Sequence, residues 1–347
     1  MTSYGFRLFK LTLRLRNGRL EIPFITSNEK ESWQYSNHLQ QILSANKEKR
    51  ERGVPHVSEP EDESTNEDNS KPIFTVDEFG IMSETITFTM SYGVQTGHDL
   101  AMADPDNMDD EDLDISKHFP SRKYRGALIM PKGNGDKEAV LALECISRAC
   151  PRSPLLKWIS QWSKAAAIPA ENGKIPPWWK LVGNPLVDED TLTKFMEKAA
   201  AETIFLKRHK VTTDRKREVD ELDLRVEITR ESLRTQALGI VKQWVLGVRS
   251  GKKVEGHDAA RSVALLVADE LEGIDFDETK IEISDPISGK KKKISPSRLP
   301  DVFTYKICTA NAPEVSVLHA SIRAVVNRVQ PNLSGTLDWS GWPPPKE

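Results

Sequence analysis

The residues with the clearest chemical meaning are basic and clustered. Lys207, Arg208, Lys210, Arg215, Lys216 and Arg217 fall within eleven positions, opposed only by Asp214. Two further groups are Arg122-Lys123-Tyr124-Arg125 and the run Lys290, Lys291, Lys292 and Lys293. Ammonium and guanidinium groups at such density neutralise phosphates and release their counterions, which is the sequence-independent part of nucleic-acid affinity. Trp178 and Trp179 are adjacent in a proline-rich stretch, followed by Lys180. An exposed ring there would stack on an unpaired base. Trp158 and Trp162, four apart on an apolar helical stripe, read instead as core. The competing reading of every basic cluster is a solvated face that keeps the chain soluble.

Enzymatic signatures are missing. No Walker A, GxGxxG, GxSxG, HExxH or kinase pattern occurs, so no catalytic residue, metal ligand or cofactor is assigned. Gly133-Asn134-Gly135 sits where a phosphate-cradling loop could, but lacks a third glycine and a following Lys-Ser/Thr, and reads as a turn. The acidic run Asp104–Asp114 fails the EF-hand pattern in both registers: position 5 is Met108 from Asp104, and position 12 is Ser121 from Asp110. Glu278-Thr-Lys280 is an acid-x-Lys triplet that could serve a metal-dependent nuclease with Asp258 or Asp269. A plain strand start is the simpler reading. His319 falls at helical spacing among apolar residues. Cys145 and Cys150 read as inert thiols on or at the end of one helix, with no histidine beside them in sequence.

The 347 residues are 38% hydrophobic and 29% charged, with a formal charge of −3 and a mean hydropathy of −0.50. That near-neutrality conceals segregation. Pro55–Asp114 holds 17 acidic residues against Lys71 alone, leaving the rest of the chain net positive. A basic body with a separate acidic insert suits an anionic partner. The insert either solubilises the chain or competes with nucleic acid for the basic surface. No apolar run is long enough to span a membrane. The first fifteen residues carry Arg7, Lys10 and Arg14 inside their apolar run, unlike a signal peptide. Three cysteines without a CxxC spacing fit a reducing, cytoplasmic setting.

These residues need elements to hold them. Leu11, Leu13 and Leu15, then Asn17-Gly18, then Leu20, Ile22 and Phe24 predict a hairpin over residues 4–25, with a bulge near Phe9 or Lys10. Asn28 is expected to cap a helix over about 29–50. Alternation predicts strands at 85–92 and 124–130, forming an antiparallel pair. Apolar spacing predicts helices over 136–150 and 154–167, and another from Asp188 or Asp190 to about Ala201. Strands at 203–209 and 222–228 flank the basic turn. Helices follow near 231–248 and 257–271, then a hairpin at 280–284 and 291–295, a strand at 302–308 and a helix from Pro313.

The expected fold is α+β: antiparallel hairpins and strands packed with helices, with acidic insertions that cannot bury enough surface to order themselves. The organisation is an N-terminal α+β domain over 1–167 with acidic loops at 51–72 and 99–116, a Pro/Trp-rich linker over 168–187, and a C-terminal α+β domain over 188–332. Residues 333–347 read as an extended, loosely held tail.

The N-terminal hairpin, the unit from Tyr124-Arg-Gly-Ala-Leu-Ile-Met130 to Cys150, and the run Glu202-Thr-Ile-Phe-Leu-Lys-Arg-His209 together resemble uncharacterised accessory or sensor proteins encoded in bacterial anti-phage defence loci. The resemblance spans about residues 85–230. It implies a subunit working beside an effector and transfers no catalytic residue. The expected function is therefore a non-catalytic nucleic-acid-binding or accessory subunit, with DNA or RNA as the partner. The alternatives are a protein-interaction or scaffold subunit engaging a partner chain, and the metal-dependent nuclease.

Overall fold

The fold is described from a computed structural model, for residues 2–16, 18–27, 32–55, 72–93, 101–102, 113–114, 121–147, 149–167, 177–186, 200–211, 218–249, 256–267, 276–284, 291–294, 304–308, 311–340 and 342. Helices and antiparallel sheets occur together, as α+β requires. In chain order the strands are β1 (Tyr4–Leu15), β2 (Glu21–Ile22), β3 (Ile25–Ser27), β4 (Ser32–Gln34), β5 (Glu51–Arg52), β6 (Ile73–Met82), β7 (Thr85–Gly93), β8 (Ala101–Met102), β9 (Leu113–Asp114), β10 (Ser121–Ile129), β11 (Glu138–Ile146), β12 (Trp179–Pro185), β13 (Ala200–Val211), β14 (Glu218–Glu227), β15 (Glu278–Ser284), β16 (Lys291–Ile294) and β17 (Tyr305–Cys308). The helices are α1 (Tyr35–Asn46), α2 (Arg152–Ala166), α3 (Glu231–Arg249), α4 (Gly256–Val267) and α5 (Val315–Val329). Two compact units result: Met1–Asn184 together with Tyr305–Glu347, and Pro185–Thr304.

The first unit is organised by one sheet in the order β12-β1-β11-β10-β7-β6-β5, with β2 and β17 also paired to β1. Its interior strand β11, between β1 and β10, occupies residues where apolar spacing predicts a helix. The sequence Ala139-Val-Leu-Ala-Leu-Glu-Cys-Ile146 is buried throughout. A strand covered on both faces loses the apolar–polar alternation that normally identifies it, so i, i+3 spacings arise without a helix. The same cause removes the bulge expected near Phe9. Pairing of β1 with β11 runs unbroken from Tyr4↔Ile146 to Thr12↔Glu138. Phe9, Leu11 and Leu13 join the main core with Leu39, Ile42 and Leu43 of α1 and Leu155, Ile159 and Trp162 of α2. Phe6 points the other way and stacks on Tyr305 at 5.2 Å.

Strand β1 does pair with a second arm, but that arm is only β2, paired at Leu13↔Ile22 and Arg14↔Glu21; Asn17 lies outside the described residues. The first helix starts later than expected, at Tyr35. Ser32–Gln34 stay extended and pair with β3, which holds Trp33 stacked on Trp179 at 5.1 Å. Strands β7 and β10 form the expected antiparallel pair, from Ser121↔Gly93 to Ile129↔Thr85.

Of the stretch 333–347 expected to be a loose tail, the described residues 333–340 and Trp342 are packed. Leu337 and Trp342 are buried, and the Asp338 carboxylate accepts bonds from Ser83 Oγ (2.6 Å), Ser340 Oγ (2.7 Å), the Ser340 N–H (3.0 Å) and the Glu84 N–H (3.3 Å). Gly335 lies against Asp136, where a Cβ would overlap the carboxyl group, so no larger residue fits without displacing it. Helix α5 and the described residues after it thus belong with Met1–Asn184, not with Pro185–Thr304.

The second unit is a four-stranded antiparallel sheet in the order β14-β13-β15-β16. Both hairpins match the expected ones. Ile204, Leu206, Ile281 and Ile283 pack with Ala237, Val241 and Trp244 of α3 and Ala260, Val263 and Ala264 of α4. The expected helix reaching Ala201 meets the described residues only at Ala200 and Ala201, which begin β13.

Candidate nucleic-acid interface

The basic clusters do not share one environment. Arg122 and Lys123 open β10 and are exposed. Arg125 is committed internally. Its Nη2 pairs with Glu144 Oε1, its Nε and its own backbone N–H both donate to Glu144 Oε2 at 3.0 Å, and its Nη1 donates to the Pro313 carbonyl at 2.6 Å. Glu144 is only 2% exposed. A buried carboxylate holds its arginine because removing either partner strands a charge away from water. Arg125 is therefore a tie between the sheet and the start of α5, not a phosphate contact.

In the second unit, the open face of the sheet is a lattice of opposite charges. Lys207 Nζ lies 3.2 Å from Asp223, Lys280 2.9 Å from Glu278, and Lys291 2.5 Å from Glu202 and 3.8 Å from Glu282. Arg225 lies over the Phe205 ring at 5.7 Å and pairs with Glu227 at 3.6 Å. The bond from Lys291 lowers the Glu202 carboxyl and raises the Lys291 ammonium. The Lys291 side chain is 59% exposed and its ammonium is engaged with these two carboxylates. The side chains of Lys210, Lys292 and Lys293 and all of Arg215, Lys216, Arg217 and Lys290 lie outside the described residues, although the backbones of Lys210, Lys292 and Lys293 are in β13 and β16.

One geometric feature is not signalled by the basic residues themselves. Strand β13 pairs with β15 only as far as Lys207↔Glu278, while its pairing with β14 continues to Val211↔Glu218. Arg208–Val211 and Glu218–Leu222 therefore extend as a two-stranded ribbon beyond the last β13–β15 rung, for about 13 Å at the rise of an extended chain. Its connection is residues 212–217, which carry Arg215, Lys216 and Arg217. Acidic residues occupy the partner strand: Asp220 opposes His209, and Asp223 opposes Lys207. The sequence shows alternation over 203–209 but not where the third strand stops pairing.

The expected stacking pair is packed inward. Trp178 is 5% exposed and its carbonyl accepts the Arg16 N–H at 2.8 Å. Trp179 stacks on Trp33 and lies 4.4 Å from the His38 ring. Its backbone N–H donates to Ser163 Oγ at 2.9 Å, and that hydroxyl is also 2.9 Å from His38 Nε2. Burial brings the His38 pKa down to about 4. Trp158 and Trp162 are core, as their spacing predicts, and bond Gly53 O and Glu51 Oε1.

The glycine turn is no anion cradle. Its amides are spent locally: the Gly133 N–H on Asp136 Oδ2, the Gly135 N–H on Ile25 O and the Asp136 N–H on Gly133 O. Asn134 exchanges side-chain bonds with the Ser27 backbone. Glu278-Thr-Lys280 opens β15 with its two charged ends paired to each other, and no group of three metal-ligating side chains occurs among the described residues. His319 packs on Trp342 at 5.1 Å, and burial together with Arg125 lowers its pKa. No helix among the described residues is long and apolar enough to cross a membrane.

No protein-family model matches the chain, and no curated protein or solved structure shows significant similarity to it.

Proposed function

We propose that the protein is a non-catalytic nucleic-acid-binding or accessory subunit whose contact element is the basic end of the β13–β14 ribbon. The observation that carries this reading is the ribbon's projection past β15, with five Lys/Arg between Arg208 and Arg217. A two-stranded ribbon fits the width of a duplex major groove, and a basic connection at its end meets the phosphates on either side. The ion pairs at Lys207, Lys280 and Lys291 argue against the flat sheet face as the contact, since those charges are already matched. Arg122 and Lys123 form a separate exposed basic pair in the other unit. The role beside an effector rests on the resemblance described above.

The reading is tested by replacing Arg215, Lys216 and Arg217 with alanine together and measuring Kd for labelled DNA and RNA at low salt. A loss of ten-fold or more is expected, against little change for Lys291→Ala. Equal losses in both variants, or none in either, would contradict it.

A further inference from the structure

Cys145 and Cys150 flank a tight turn at the end of β11. Ile146 and Ala149 exchange both backbone hydrogen bonds, at 3.1 Å and 3.0 Å, with Ser147 at a φ of 58° between them. One position outward along this narrow hairpin stand Cys145 and Cys150. In an antiparallel pair that next position is not hydrogen-bonded, its Cα atoms approach to about 4.5 Å, and its side chains share a face. Disulfides span Cα separations of about 4.4–6.8 Å. Cys150 packs against the main core, to which Tyr124 also belongs. Cys145 is fully buried and Cys150 half-buried above it.

We propose that Cys145 and Cys150 form a dithiol site that closes to an intramolecular disulfide when it meets a peroxide or a small-molecule disulfide. Half-buried Cys150 is the first nucleophile. Its thiolate attacks the peroxide O–O bond, forming an S–O bond and releasing hydroxide. The Cys145 sulfur then attacks the Cys150 sulfur; the S–S bond forms, the S–O bond breaks, and the Cys145 proton leaves with the displaced hydroxide as water. Two thiols and one peroxide give one disulfide and two waters. With oxidised glutathione the intermediate is a mixed disulfide on Cys150, and two reduced glutathiones are released. Cys150, and after it burial, push the Cys145 thiol above the usual range, and Cys145 is fully buried while Cys150 is only half-buried, so Cys145 is the second and not the first sulfur to react. The closed bond fastens the end of β11 to the residue two before α2 begins.

The full chain, native and free of reductant, is treated with hydrogen peroxide or oxidised glutathione, unfolded, alkylated and analysed by intact mass and peptide mapping. Wild-type protein and Cys308→Ser are expected to lose two hydrogens and two alkylatable thiols, with the bond mapped to Cys145 and Cys150. Cys145→Ser is expected to stop at a glutathione adduct on Cys150. The proposal is overturned if wild-type protein accumulates that adduct, or a sulfinate, on Cys150 while Cys145 remains alkylatable. It is equally overturned if Cys308 pairs in place of either. The wild-type measurement decides the matter even where a variant fails to fold.

Discussion

At the residue scale, two buried carboxylates define what the first unit tolerates. Glu144 receives three bonds from Arg125, which in turn bonds the Pro313 carbonyl. Glu144→Ala leaves a guanidinium partly buried and unpaired, and the expected cost is about 3–5 kcal/mol in chemical denaturation. A change under about 1 kcal/mol would show that water enters and solvates Arg125. Asp338 behaves differently because its bonds can be titrated. Burial alone raises its pKa, but Ser83, Ser340 and the Glu84 N–H outweigh that and hold it at about 2, against an ordinary 3.8. A depressed carboxyl contributes its stabilisation above its unfolded pKa and loses it as pH falls toward the folded value. The stability gap between wild type and Asp338→Asn is therefore expected to be constant from pH 7 to 5, up to about 2 kcal/mol, and to close between pH 4 and 2. A gap that persists unchanged at pH 2 would mean the carboxylate charge is not what these donors recognise. Neither role is visible in the sequence: Arg125 reads as one of three bases within four residues, because Glu144 is 19 residues away and falls where apolar spacing predicts a helix.

At the scale of elements, alternation is a reliable guide wherever one face of a strand meets solvent or charge. Thr85–Gly93 and both hairpins of the second unit are legible for that reason, with Ile204 and Leu206 inward and Phe205 and Lys207 outward. It fails at β11, where both faces are covered and Leu141 and Leu143 are fully buried. Core position predicts mutational cost: Leu143→Ala should lower stability by about 2–5 kcal/mol. Leu20→Ala, at a residue 84% exposed, should move it by less than about 0.5 kcal/mol. A thermal or urea unfolding series distinguishes these, and comparable effects at the two sites would contradict the interior placement of β11. The expected site is only partly legible for a similar reason. Basic residues are conspicuous in sequence, but their partners Asp223, Glu202 and Glu282 lie on other strands or further along the chain and become apparent only with the register.

At the scale of the whole molecule, charge segregation is the organising feature. Residues 56–71 carry six acidic residues and Lys71, so deleting them changes the formal charge from −3 to +2. Screened electrostatics then predicts tighter nucleic-acid binding at low salt, with the difference vanishing above a few hundred millimolar salt as the Debye length shrinks. Unchanged low-salt affinity would remove any competing role for the acidic segment. Phosphate binding by the basic ribbon end is checked by fluorescence anisotropy of the full chain with labelled duplex and single-stranded probes across a salt series. The probe is expected to stay intact and the affinity to fall linearly with salt in log–log form. For duplex DNA, replacing Arg215, Lys216 and Arg217 with alanine should make the slope shallower by about 0.9 for each phosphate that is no longer neutralised. No binding at low salt, or a slope indifferent to those three residues, would contradict it.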